Sequence, residues 1–197
     1  WNGGGGSLTA SAWMDRVDGF ITLYGQDRLH DVPGVTNPRA QTYANVDATI
    51  HGLSVAGTAA LASNLFVAGN ASWVHGAKER DPALGLESTA LAEMPPLTGR
   101  VALRWQNPRY FVEAEGVGAM EQDRVDTDLS EQATPGWAIL NLKGGLTLGQ
   151  WRLQLVVENL LDRTYHEHLS YVRNPYSSGF VVNEPGRSAT VTLGWSL

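Results

Sequence analysis

The carboxyl-terminal segment SATVTLGWSL alternates apolar and polar residues without interruption. Ala189, Val191, Leu193, Trp195 and Leu197 alternate with glycine or with residues that carry a hydroxyl group. Because successive side chains of a β-strand point to opposite faces, a period of two predicts a strand. This strand has one apolar face and one polar face.

Seven further segments show enough of the same alternation to predict strands, which brings the expected number to about eight. After Gly52 the apolar residues move from even to odd positions, and we predict a β-bulge at this glycine. The first segment is less regular, and its facing is ambiguous between Trp13 and Gly19. The eight segments are 8–25, 44–61, 65–76, 100–106, 110–123, 137–148, 151–160 and 188–197.

The connections between the predicted strands alternate between short and long. The short ones are 62–64, 106–108 and 149–150, and the long ones are 26–40, 77–96, 127–133 and 168–186. A soluble sandwich or a lipocalin-like barrel would bury the apolar faces as a core, but it gives no reason for sorting connections by length. A barrel that crosses a membrane has short turns on one side and long loops on the other. We therefore predict an all-β fold, an antiparallel transmembrane β-barrel.

The polar faces and the aromatic residues fit the same prediction. Charged side chains occupy the faces opposite the apolar ones, as expected for a wet lumen: Arg100, Arg104, Glu113, Glu115 and Lys143. Tryptophans lie near strand ends, where the aromatic belts of membrane barrels are found: Trp73, Trp105, Trp137, Trp151 and Trp195. By its parity, Trp137 is the one of these that faces inward.

Composition removes several classes of function. The net charge is −6 and the 14 basic residues are scattered, which argues against nucleic-acid binding. The chain has no cysteine, which excludes disulfides and thiolate ligands. It contains no nucleophile elbow, metalloprotease motif or phosphate-binding glycine loop, so we predict that it is not an enzyme.

Two motifs near the carboxyl terminus carry a resemblance to a known family. The segment NLLDRTY spans residues 159–165 and EPGR spans residues 184–187, just before the last strand. In order and in distance from the terminus they resemble the end of TonB-dependent outer-membrane receptors, most closely the copper-receptor branch. The segments NVDATIHG, MPPLTGRVALRW and TPGWAILNLKGG are similar to this family too. The motif residues are Asn159, Leu160, Asp162, Tyr165, Glu184, Pro185, Gly186 and Arg187.

The resemblance implies an architecture larger than this chain. Such receptors form barrels of about 22 strands around a plug, so residues 8–197 would be a carboxyl-terminal segment of a barrel. The plug would then lie in a preceding region. Residues 1–7 are expected to be a glycine-rich turn or linker: Trp1 would end a preceding strand and Asn2–Ser7 would form a short periplasmic turn.

The resemblance also implies a function and partners. The complete protein would lie in the outer membrane of a Gram-negative bacterium and take up a scarce metal, copper in preference to an iron–siderophore. It would contact outer-membrane lipid, TonB through the plug region, and the barrel assembly machinery through its last strand. No cofactor is required, since the copper or iron chelate would be the transported ligand.

Four residues are candidate ligands for such a metal. His166 and His168 are two apart, and on a strand they would point the same way. Met94 lies beside Pro95 and Pro96 in a long connection, where a thioether could meet Cu(I). His51 is predicted to face the lumen. Met120 and His75 share the apolar faces of their strands and are not expected to be ligands.

A function of a different class remains open at this stage. Eight is an even number of strands that can close into a barrel. The chain could therefore be a self-contained eight-stranded outer-membrane barrel, natural or engineered, that acts as a pore, an anchor or an interaction protein.

Overall fold

The computed structural model describes residues 2–3, 5–24, 42–170 and 181–196, which form one antiparallel sheet. The strands pair in chain order, and among the described residues β1 and β9 do not pair with each other, so this sheet is open. Trp1, Leu197, the predicted connection 26–40 and residues 171–180 lie outside the described residues. The strands are β1 (Asn2–Gly3), β2 (Gly6–Tyr24), β3 (Thr42–Ala62), β4 (Leu65–Lys78), β5 (Thr98–Gln106), β6 (Tyr110–Ala119), β7 (Trp137–Leu148), β8 (Trp151–Glu158) and β9 (Ser188–Trp195).

The strand register confirms the predicted separation of apolar and polar faces. One row of directly opposed residues crosses β3 to β9 on the outer face: Ala59, Val67, Leu103, Ala114, Leu142, Val157 and Ala189. The adjacent row lies on the inner face: Ala60, Phe66, Arg104, Glu113, Lys143, Val156 and Thr190. The outer face is apolar along its whole row, and the inner row carries charges at its centre.

The predicted bulge at Gly52 is wrong. The pairing of β2 with β3 runs without a break past Gly52, which lies opposite Trp13. The apolar residues change parity there because Val46 and Ala48 are buried on the inner side, whereas Leu53 is exposed on the outer face. A change of surroundings along one regular strand thus produces the same sequence pattern as a change of register.

A bulge does occur in β2, in the stretch whose facing the sequence left ambiguous. Val17 lies opposite Ala48 and Phe20 opposite Val46, so two residues of β2 oppose one residue of β3. One of the two is Gly19, with φ 68°, a left-handed conformation that glycine adopts without strain. Its N–H donates to Asp47 Oδ1 at 2.8 Å, which fixes the bulge in place.

The connections alternate in length as predicted. Turns at 63–64, 107–109 and 149–150 join strands at one end of the sheet. The described connections at the other end, 79–97, 120–136 and 159–187, are long, although the last includes residues outside the description. The buried apolar residues other than Ala102 lie at or near this end: Val46, Ala48, Leu86, Ala90 and Leu91. The described chain has no helix that is long and apolar enough to cross a membrane, which bears on helices alone.

The strands differ greatly in length along the sheet. β2 and β3 have 19 and 21 residues, whereas β8 and β9 have 8 each. Because the short turns fix one end, the long strands extend further at the end that carries the long connections.

Candidate functional site

The inner face of β5, β6 and β7 carries a continuous network of ion pairs. Glu115 contacts Arg100 Nε at 2.5 Å and Lys143 Nζ at 3.0 Å. Glu113 contacts Lys143 Nζ at 3.2 Å and Arg104 at 3.4 Å. These side chains meet because the strand register sets Glu113 opposite Arg104 and Lys143 and places Glu115 on the same face. The wall is therefore polar on its inner side and nearly neutral over this patch.

A second network ties the end of β4 to the connection 120–136. Lys78 Nζ contacts Asp126 Oδ2 at 2.5 Å and Asp128 Oδ2 at 3.3 Å, and the side chains of Lys78 and Asp126 have no exposed surface. Asp128 also accepts hydrogen bonds from the N–H groups of Glu87 and Ser88, at 3.2 and 3.1 Å. Burial raises the pKa of Asp126, and the hydrogen bond from Lys78 acts in the opposite direction.

Glu131 joins three connections through its two carboxylate oxygens. It accepts hydrogen bonds from the N–H of Asp126 at 2.6 Å and of Glu93 at 2.7 Å. It also contacts His168 Nε2 at 3.2 Å, and His168 Nδ1 lies 2.9 Å from Thr134 Oγ1. Burial disfavours the ionised form of Glu131, but the hydrogen bonds from His168 and the two N–H groups outweigh it and lower its pKa.

Arg124 fastens the same connection to β4. Its guanidinium donates to the carbonyl oxygen of Gly76 and, at 3.1 Å, to that of Thr89. Because a guanidinium offers several donors in a fixed plane, one side chain satisfies backbone groups from two segments. Connections 79–97, 120–136 and the start of 159–187 thus form one hydrogen-bonded cap, which we call the loop cap.

The two carboxyl-terminal motifs meet in the structure. Asn159 directly follows β8, and its side chain bonds to both backbone groups of Arg163: Nδ2 donates to the carbonyl at 2.8 Å, and Oδ1 accepts from the N–H at 2.9 Å. Asn159 Nδ2 also reaches the carbonyl of Pro185 at 3.3 Å. Asp162 Oδ1 accepts from the N–H of Arg187 at 2.8 Å. The first motif therefore positions the chain that enters β9.

The remaining motif residues complete this junction. The N–H of Glu184 donates to the carbonyl of Tyr165 at 2.9 Å, and the N–H of Leu160 donates to that of Leu140 at 2.8 Å. The Tyr165 ring lies 4.3 Å from the ring of Trp137, the tryptophan predicted to face inward. A Cβ atom at Gly186 would lie 2.8 Å from Asp162 Oδ1, so a side chain at this position would force Asp162 to move.

The predicted strand placement of His166 and His168 is wrong. Residues 162–167 have no regular structure, and His168 begins a short 3-10 helix, His168–Ser170. His168 is buried and both of its ring nitrogens already have partners, whereas His166 is half-buried. The strand ends early because Asn159 has φ 46°, a left-handed conformation that breaks the ladder.

His51 faces the outer surface and not the lumen, because the predicted bulge at Gly52 is absent. It lies opposite His75 in the register, with ring centroids 4.9 Å apart, and its ring is 5.4 Å from that of Trp73. Met94 lies in connection 79–97 and lines a cavity together with His75 and Met120. In the part of the chain that the structure describes, no three His, Cys, Asp or Glu residues are grouped so that they could hold a metal ion.

The sequence analysis missed the residues of the loop cap: Lys78, Asp126, Asp128, Glu131 and Thr134. The only sign of the loop cap in the sequence was the acid-rich stretch DRVDTDLSE between two predicted strands. Such a stretch usually indicates a solvated loop. Only the fold shows that these carboxylates turn inward onto Lys78, His168 and backbone N–H groups.

Several solved structures share this fold. The copper transporter OprC is 23% identical with a TM-score of 0.80, and the match covers all of this chain and 30% of that one. The ferric-catecholate import receptor Fiu of E. coli K12 is 14% identical with a TM-score of 0.64, covering 96% and 25%. The ferric yersiniabactin receptor FyuA of Yersinia pestis is 13% identical with a TM-score of 0.67, covering 99% and 28%. This chain therefore spans at most about a third of the length of these proteins.

Sequence comparison identifies the family. No curated protein matches the chain significantly. The profile of a family described as TonB-dependent receptor-like, β-barrel, matches residues 1–160. That match covers most of the strands and includes the ion-paired inner face, the loop cap up to residue 136 and the start of the first motif. The chain belongs to the TonB-dependent receptor β-barrel family.

Proposed function

We propose that this chain is the carboxyl-terminal part of the barrel of an outer-membrane receptor that imports a metal ion or a metal chelate. The observation that carries the proposal is the two-sided sheet, apolar outside and ion-paired inside, in a chain of this family. In this assignment residues 1–7 contain β1 and the turn into β2, and residues 8–197 belong to the barrel segment.

The two faces of the sheet have different roles in such a receptor. The outer apolar rows contact lipid, and the inner wall lines the space through which a ligand would pass. Glu113 and Glu115 are paired with cations, so neither carboxylate is a free anionic ligand for a passing metal. We assign the exchange of energy with TonB to the plug region, and recognition by the barrel assembly machinery to the carboxyl-terminal strand. The proposed role is transport and not catalysis.

Copper is the proposed substrate, and an iron chelate is the second candidate. The likeness to the copper transporter extends over the whole chain at a TM-score of 0.80. The iron candidate is favoured by the receptors named for ferric ligands, whose TM-scores are lower, at 0.64 and 0.67. Both ligands would be cargo and not resident cofactors.

Uptake measurements in a deletion strain test this proposal. We expect the strain without the receptor to accumulate less copper from a copper-poor medium, and complementation to restore accumulation only when TonB is present. If the deletion strain instead lost growth on a ferric siderophore and accumulated copper as before, the iron chelate would be the substrate in place of copper. Unchanged uptake of both ligands would contradict the proposal.

A self-contained eight-stranded barrel requires pairing between the first and last strands. The described residues show no such pairing. Disulfide cross-linking in membranes between cysteines introduced at Ser11 and Thr192 gives a direct test. Efficient cross-linking would favour the small closed barrel, and we expect none.

A further inference from the structure

Two methionines, Met14 and Met120, lie beside one pair of histidines, His51 and His75. Met14 lies directly opposite His51, and His51 lies directly opposite His75. Met94 and Met120 line, with His75, a cavity of about 210 Å³ at the edge of β4. Thioether and imidazole groups that are far apart in sequence are thus gathered at one place.

The strand register puts Met14, His51 and His75 in a single row on the outer face. Directly opposed residues of antiparallel strands have Cβ atoms about 4.5–5.5 Å apart, so neighbouring side chains of the row can reach a common point. The next row towards the short turns contains Leu53 opposite Trp73. The methionine–histidine row therefore lies just beyond an aromatic residue of the outer surface, on the side of the long connections.

The spacing of the two imidazoles is compatible with a shared metal that has further ligands. A metal about 2.0–2.1 Å from one nitrogen of each ring, at an angle of about 90–110°, would hold the centroids about 4.5–5.2 Å apart. The observed separation is 4.9 Å. The rings are tilted by 33° to each other, so a rotation about side-chain torsions would bring both nitrogens onto one ion.

Thioethers select the kind of ion. Zinc and Cu(II) are satisfied by imidazole, whereas methionine sulfur favours Cu(I). Met14 and Met120 are 60% and 62% exposed, so their sulfur atoms are accessible without opening a core. Arg124 also lines the cavity and opposes a cation, but Glu121 and Asp123 line it too, and the Arg124 guanidinium is bonded to Gly76 and Thr89.

We propose that Met14, His51 and His75 form a binding site for a soft monovalent metal ion, Cu(I), with Met120 supplying a further thioether across the cavity. The site is on the outer surface, outside the lumen. It is therefore independent of the proposed uptake function, and the two can fail separately.

Anaerobic titration of the complete receptor in detergent tests the site, with Cu(I) in competition with a chromogenic chelator and Ag(I) as a redox-inert probe. We expect the double variant His51→Gln with His75→Gln to lose one bound Cu(I) equivalent, with affinity at the site falling more than about 100-fold. Met14→Leu keeps an apolar side chain and is expected to weaken Cu(I) by about tenfold or more. Zn(II) binding should respond to the histidine changes and not to Met14→Leu.

His166→Gln is the matched control, because His166 lies outside the row and should leave the stoichiometry unchanged. Circular dichroism and heat-modified gel migration check that each variant folds. Equal Cu(I) binding by the folded double-histidine variant would overturn the site, and an unchanged affinity in Met14→Leu would overturn its selectivity for a soft ion. Copper accumulation measured in parallel tests uptake alone, and we expect it to persist when the site is removed.

Discussion

Two residues of the first carboxyl-terminal motif have left-handed backbone conformations. Asn159 has φ 46° and Asp162 has φ 54°. Asparagine and aspartate tolerate this region because their short side chains can bond to the local backbone. Here those side chains hold Arg163, Pro185 and Arg187. The motif therefore ends β8 and fixes where β9 begins.

Asn159→Ala should lower the free energy of unfolding by about 2–4 kcal/mol. The change strains the left-handed backbone and removes both side-chain hydrogen bonds to the backbone of Arg163. Chemical denaturation of the receptor in detergent, followed by tryptophan fluorescence, measures the effect. Asn159→Gly is the matched control: it removes the same hydrogen bonds without strain and should be the milder change by about 1 kcal/mol. Equal loss in both variants would contradict a role for the backbone conformation.

Lys78→Met should loosen the loop cap. The substitution leaves Asp126 and Asp128 as adjacent buried carboxylates without their cation. Removing one partner of a buried ion pair lowers the free energy of unfolding by about 3–5 kcal/mol. Hydrogen exchange measures it directly, since the N–H groups of Glu87 and Ser88 bond to Asp128. We expect them to lose protection, whereas Arg109→Met, at an exposed turn, should leave them unchanged.

At the scale of elements, the sheet and the loop cap depend on different forces. The strands are held in register by the alternation of apolar and polar side chains, which local sequence shows directly. The loop cap is held by carboxylates that meet partners 5 to 48 residues away in the chain. The stability of the loop cap is therefore sensitive to the charge of these carboxylates and their partners.

Acidification should break the hydrogen bonds of Glu131 only below the ordinary pKa of a glutamate, because that pKa is lowered in the folded protein. The pKa of Glu131 is lowered in the folded state from an ordinary value of 4.5. Its contribution is therefore present above 4.5 and is lost as the pH falls through the lowered value. Hydrogen exchange at the N–H of Glu93 should remain slow at pH 4.5 and become fast on further acidification. In Glu131→Gln this acid step should be absent; an identical step in that variant would assign it to another group.

The lipid-facing assignment predicts a difference between neighbouring residues of β9. Val191 lies opposite Leu155 on the outer face, and Thr192 lies opposite Gln154 on the inner face. Val191→Arg should destabilise the receptor by up to about 2–4 kcal/mol in lipid vesicles, because an arginine on the lipid face must be desolvated. Thr192→Arg should have a much smaller effect. Equal effects of the two changes on unfolding in vesicles would contradict the assignment.

At the scale of the whole molecule, the sequence predicted the all-β class, most of the strand faces and the alternation of connections. These properties follow from the alternation of apolar and polar side chains and from turn residues, both of which can be recognised within a few neighbouring positions of the sequence. The face of His51 could not be predicted, because the change of parity around Gly52 reflects burial of Val46 and Ala48 near the loop cap. The pairing of the two carboxyl-terminal motifs depends on contacts across more than 20 residues, such as that from Asp162 to Arg187. Their resemblance to a family identified them without showing what they do.

The unequal strand lengths give the molecule an uneven profile. With a rise of about 3.3 Å per residue, the 13 extra residues of β3 over β8 amount to roughly 40 Å of additional strand. If β8 suffices to cross the apolar layer, most of that excess of β2 and β3 stands clear of it as a tall ridge. In the proposed outer-membrane receptor this ridge would project on the side of the long connections, and we expect an antibody against it to bind intact cells.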